Sequence, residues 1–173
     1  TANFPSRTSA FANMQSTLGH AFWNQGVYIN DGDVVFLRYE NISLTDKEKI
    51  LVALVNFLFA SQIMHSDDPA SFSEEGDGAF TRHIVALFEA LEGVEFGLEN
   101  RSADTYLVFS RDSAWCGMIN LSEKPFTVEA RELLAAAGAA EGALVPLVEH
   151  CVAVDGVYTA ERHSISLFSI KNV

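Results

Sequence analysis

The densest run of chemistry-bearing side chains is His65-Ser66-Asp67-Asp68 followed by Glu74-Glu75-Gly76-Asp77, with no Lys or Arg between Lys49 and Arg82. Hard oxygen donors at this density suit Ca²⁺ or Mg²⁺, so Asp67, Asp68 and Glu75, with His65, form the candidate metal set. The spacing is not that of an EF-hand loop, and Pro69 interrupts it. A solvated acidic loop between two helices accounts for the same residues. No cofactor is expected beyond such a divalent metal.

Nucleophilic catalysis needs a Cys or Ser beside a base. Cys116, in Ser113-Ala114-Trp115-Cys116-Gly117, invites that idea but lacks the second cysteine of a redox pair, and it reads as a small core residue. Cys151 follows His150 directly, and neighbours on a helix point about 100° apart, which keeps that imidazole from serving as its base. The pairs Glu89 with Glu92 and Glu129 with Glu132 sit on faces read as exposed. The glycines stand apart, and neither nucleotide-binding spacing occurs. No catalytic residue is assigned on this basis.

The elements that must position these groups read mainly as helices. Phe11, Met14, Leu18, Ala21 and Phe22 share one face of a segment from Ser9 to Asn24. Asn30-Asp31-Gly32-Asp33 looks like a hairpin turn joining Val27–Ile29 to Val34–Tyr39. Thr45-Asp46-Lys47-Glu48 has the form of a capping box and opens a helix expected to run from Asp46 to His65. Phe80, Ile84, Leu87, Phe88 and Leu91 make a clean helical stripe. From Val94 to Leu121 the period changes to two, which predicts a short antiparallel meander. After Pro125 helices are expected again, one capped by Thr127 and ending near Gly138, another with Pro146 in its first turn and ending near Gly156. The segment from 160 to 170 fits helix or strand. The expected fold class is therefore α+β: one domain spanning 1–173, with about five or six helices packed on a small antiparallel sheet.

Composition bounds the partners. The chain has 173 residues, 49% of them hydrophobic, with 11 Lys plus Arg against 23 Asp plus Glu and a formal charge of −12. Its basic residues are scattered singly, so neither nucleic acid nor an anionic membrane is an expected partner. The apolar run Ile50–Met64 is shorter than the roughly 20 residues a bilayer span needs. With no basic and apolar leader in Thr1-Ala2-Asn3-Phe4-Pro5-Ser6-Arg7, and two unpaired cysteines, a reducing cytoplasm is the expected compartment.

One local likeness lies in Val148-Glu149-His150-Cys151-Val152-Ala153-Val154-Asp155-Gly156-Val157-Tyr158-Thr159-Ala160-Glu161-Arg162-His163. Over residues 126–168 the chain resembles TerB-like tellurite-resistance domains, with a helix, an Asp-Gly turn and a capped helix. The resemblance implies a helical interaction module whose acidic turns hold metal.

By subtraction, the sequence leads to non-catalytic binding of another protein, a basic one being the natural complement of the acidic surface. That role covers an adaptor, a regulator, or an inhibitor that presents carboxylates in place of phosphates. Two alternatives stay open: a divalent-metal sensor or metal-dependent hydrolase built on the 65–77 loop, and a structural subunit of a homo-oligomer or particle.

Overall fold

The structure, a computed structural model, describes residues 10–24, 26–27 and 29–171. The first half of the chain is a strand-helix layer. It holds α1 (Ala10–His20), β1 (Asp31–Val35), α2 (Asp46–Phe59), β2 (Gln62–His65) and α3 (Asp77–Leu91). Strands β1 and β2 are parallel neighbours, so β1, α2 and β2 make one strand-helix-strand unit.

The second half is almost entirely antiparallel sheet. A five-stranded sheet has the order β3 (Phe96–Asn100), β4 (Thr105–Ser110), β5 (Trp115–Asn120), β10 (Ser164–Lys171), β7 (Ala143–Val148). A three-stranded sheet has the order β6 (Phe126–Glu129), β9 (Val157–Ala160), β8 (Cys151–Val154). The short helix α4 (Ala130–Ala136) follows β6.

Side-chain alternation in the large sheet sorts two cores. Tyr106, Val108, Ile119, Leu121, Ile165 and Leu167 pack with α1, α2 and α3. Leu107, Cys116, Met118 and Phe168 pack instead with Val128, Leu133, Ala137 and Ala160 of the small sheet and α4. The large sheet is therefore the middle layer, covered on both faces, and β4, β5 and β10 are apolar in both registers for that reason.

The expected α+β bundle of about five or six helices is corrected by this architecture: the described residues hold four α-helices and ten strands in three sheets. The meander β3-β4-β5 and the capping box of α2 match the sequence reading. Glu48 N–H donates to the Thr45 hydroxyl (3.3 Å), and Thr45 N–H donates to the Glu48 carboxylate (2.8 Å). Helices α1 and α3 also fall where the sequence places them, and other segments differ for identifiable reasons. Helix α2 stops at Phe59, not His65, because two amide side chains seize its last carbonyl: Asn24 (3.1 Å) and Asn30 (3.0 Å) both donate to Phe59 O.

Val148–His163 does not form two helices. Asp155 and Gly156 take φ of 50° and 77°, the pair of left-handed residues that a two-residue hairpin turn requires, and they join β8 to β9 with Val154 opposite Val157. The helical hairpin that the resemblance implied is thus a β-hairpin. Pro146 lies in β7, at an edge of the large sheet beside a register shift, where a missing N–H is tolerated. Thr127 lies in β6, and Glu129 caps α4 in its place. No helix among the described residues is long and apolar enough to cross a membrane.

Candidate functional site at the carboxyl ends of the parallel strands

In strand-helix-strand units, catalytic and binding groups gather in the loops that leave the carboxyl ends of the strands. Here those are residues 36–45 after β1 and 66–76 after β2. Asp67, in the second loop, has a side chain with 0% exposure. Its Oδ2 accepts from the backbone N–H groups of Leu37 (2.6 Å) and Arg38 (3.3 Å), and its Oδ1 accepts from Arg38 Nη1 (2.8 Å). Asp77, at the start of α3, accepts from Tyr39 N–H (2.7 Å). Three successive donors after β1 are thereby closed by two carboxylates from beyond β2.

The carbonyl in this stretch is closed as well. Lys49, in the first turns of α2, is 1% exposed, and its Nζ donates to Leu37 O (3.3 Å). The ammonium also lies 3.8 Å from the Tyr39 ring centroid and 5.3 Å from that of Phe80, an aromatic setting that favours a cation. Burial pulls the Lys49 pKa below the ordinary lysine value, with Asp46, Asp77 and Asp67 opposing the shift. The Tyr39 phenol donates to Asp46 Oδ2 (3.2 Å). Burial, then Asp46 and Asp77, push its pKa up, so it stays a proton donor at neutral pH.

The four residues taken as a metal set are placed apart in role. Asp67 is consumed by Arg38 and the β1 loop. Asp68 caps a single 3-10 turn, accepting from Ala70 N–H (3.0 Å). Glu75 is exposed in the turn before α3, and His65 is exposed at the end of β2. Among the described residues, no group of three or more His, Cys, Asp or Glu is arranged to hold a metal. Sequence reasoning passed over Arg38, Tyr39 and Lys49, and counted Asp77 only as one member of the acidic run. A lysine in a capping-box turn has the signature of a solvated residue, and nothing in its neighbours' identities announces its burial.

At the amino end, β1 is held by amides. Asn13 donates to Gly32 O (3.0 Å), and Asn30 donates to Thr17 O (2.9 Å). Between Asp31 and Val34 the pairing with β2 slips by one residue, a bulge of the kind that recurs beside active sites. A Cβ at Gly32 would fall 2.7 Å from Asn56 Cγ and 2.9 Å from the Ala60 side chain, so this bulge requires glycine. A groove of about 730 Å³, lined by Leu18, Phe22, Phe57, Phe96 and Arg111 among others, lies by the end of α2. It is thus on the amino side of the strands, away from the Asp67 cluster.

Neither cysteine is an activated nucleophile. Burial pushes the Cys116 thiol up to about 12, and burial also raises that of Cys151.

A second ionic cluster joins the helical layer to the sheets. His163 Nδ1 meets Glu48 Oε1 (3.2 Å), its Nε2 meets Glu123 Oε1 (3.2 Å), and its ring stacks on Phe11 at 4.0 Å. Burial works to raise the Glu48 pKa, but hydrogen bonds from Thr45 and His163 outweigh it, and the net shift is downward from 4.5. A carboxylate with a lowered folded pKa contributes stability that is whole above its unfolded value and lost as pH falls through the folded one. The melting temperature is therefore expected to drop on acidification below about pH 4.5, and to drop less steeply in Glu48→Gln. Thermal melts between about pH 6 and pH 3 check this.

The fold class can now be compared with known proteins. No protein-family description matches the chain, and no curated protein matches it. Solved structures do. A GH27 β-L-arabinopyranosidase from Geobacillus stearothermophilus superposes with a TM-score of 0.64 at 15% identity, over 94% of this chain and 41% of that one. A variant of the same enzyme in complex with arabinose gives 0.62 at 15% identity, over 94% of this chain and 42% of that one. The α-galactosidase I of Mortierella vinacea gives 0.50 at 11% identity, over 92% of this chain and 44% of that one. The chain thus spans about two-fifths of the length of these neighbours, and at such identities the likeness is one of fold.

Proposed function

We propose that this chain works as part of a glycoside hydrolase, with β1, α2, β2 and α3 belonging to a larger barrel of parallel strands and the antiparallel sheets forming the domain packed against it. The observation that carries the reading is the bareness of the parallel pair. Parallel strands are normally covered on both faces, yet all four residues of β2 are exposed, with Ile63 at 39% and Met64 at 41%. Among the described residues their sheet holds β1 and β2 and no third strand. A superposition that takes in nearly the whole chain, strand-helix layer and sheets together, supports the same reading.

Glycoside hydrolysis is carried out by paired carboxylates. On β1, β2 and the start of the loop after β2 the carboxylates are Asp31, Asp33, Asp67 and Asp68. Asp67 is engaged by three donors and Asp68 by its turn, so these two shape the loop at the carboxyl ends of the strands. The full-length protein that carries this chain is expected to release nitrophenol from β-L-arabinopyranosides or α-galactosides. A wild-type protein inactive on a broad panel of aryl pyranosides overturns the proposal.

A further inference from the structure

The cluster after β1 has a role that follows from where it acts, and it rests on the glycosidase reading. We infer that Lys49 is a positioning residue, which fixes the path of the loop leaving β1 by holding the Leu37 carbonyl and the Tyr39 ring from beneath. In a barrel enzyme that loop borders the substrate. Its backbone is engaged at three successive N–H groups, those of Leu37, Arg38 and Tyr39 through Asp67 and Asp77, and at the Leu37 carbonyl through Lys49. The three N–H groups are thereby taken, and this part of the loop is held in a fixed shape.

A lone buried ammonium is a poor choice for packing alone, since desolvation disfavours its charge. Its partners show why it is kept. One carbonyl and two aromatic faces converge on Nζ from β1's loop and from α3, so a single charge ties together both elements that flank α2. The charged and titratable groups around it are Asp46 on α2, Asp67 after β2, Asp77 on α3 and Tyr39 after β1.

The test compares the full-length wild type with Lys49→Met, which keeps the length of the side chain and removes the charge, and with Asp77→Ala, which frees Tyr39 N–H from a partly exposed position. Both variants are expected to lower kcat by about tenfold to a hundredfold with KM little changed, as misplacement of a catalytic wall does. Lys49→Met is also expected to remove the part of any alkaline limb of kcat that comes from Lys49 giving up its proton. Hydrogen exchange at Leu37, Arg38 and Tyr39 should quicken in both. The inference is overturned if Lys49→Met keeps the wild-type kcat and alkaline limb, or if exchange at these amides is unchanged in both variants. Absence of glycosidase activity in the wild type overturns the functional reading instead. In that case amide exchange still decides whether Lys49 orders the loop.

Discussion

Asp67→Ala is expected to destabilise the protein by about 3–5 kcal/mol, the range for removing one partner of a buried ion pair. The carboxylate is fully buried and serves three donors at once. Its loss strands Leu37 N–H, a backbone donor that is itself buried, and leaves the Arg38 guanidinium half-enclosed without its counter-charge. The comparison that separates charge from hydrogen bonding is Asp67→Asn, which retains one acceptor oxygen and should lose less. Urea denaturation of the three proteins measures the difference. A loss below about 1 kcal/mol for Asp67→Ala, the value of an ordinary exposed pair, would contradict this account.

Gly117→Ala is expected to cost about 3 kcal/mol, at the top of the usual range for overpacking. Gly117 sits in the middle of β5 opposite Leu167 of β10. A methyl group there would collide with the backbone carbonyl oxygen of Ser166 and come within 2.8 Å of Leu167 Cδ2. A flexible side chain could turn aside, but a carbonyl at the centre of a sheet pairs with its neighbours and cannot move alone. The expected signature is a lower denaturation midpoint with an unchanged denaturant slope. A neutral substitution would mean that β5 and β10 separate more readily than their pairing indicates.

These two sites mark what was and was not legible in the sequence. Local signals were readable where the chain obeys them locally. Thr45 and Glu48 announce the start of α2, the Phe80 stripe announces α3, and alternation announces β3. The misreadings fall where tertiary burial removes the alternation. Strand β10, Ser164–Lys171, is covered on both faces, so its apolar residues follow no period that separates strand from helix. The hairpin at Asp155-Gly156 carried a strong local signal, since two such residues between Val-rich segments favour a type I′ turn. It was overridden by the flanking likeness to a helical pattern. The candidate site was half legible. Asp67 stood out as part of an acidic run, but what distinguishes it is Arg38, 29 residues earlier and brought near by the parallel pairing of β1 with β2. Lys49 could not have been found at all, because its partners are a carbonyl and two ring faces.

The placement of β10 between β5 and β7 bears on how the chain reaches its native state. Strands β3, β4 and β5 follow one another and can pair as soon as each has been synthesised. Strand β7 has no partner among them and must wait, with β5, for a segment that comes after β9. Until it arrives, two strand edges and the apolar faces between them stay open to other molecules. Pairings of long sequence separation form slowly, and transiently open edges invite association. The slowest productive step is therefore expected to be the insertion of β10. During that interval, crowding by neighbouring nascent chains is the chief hazard to recovery of the folded protein.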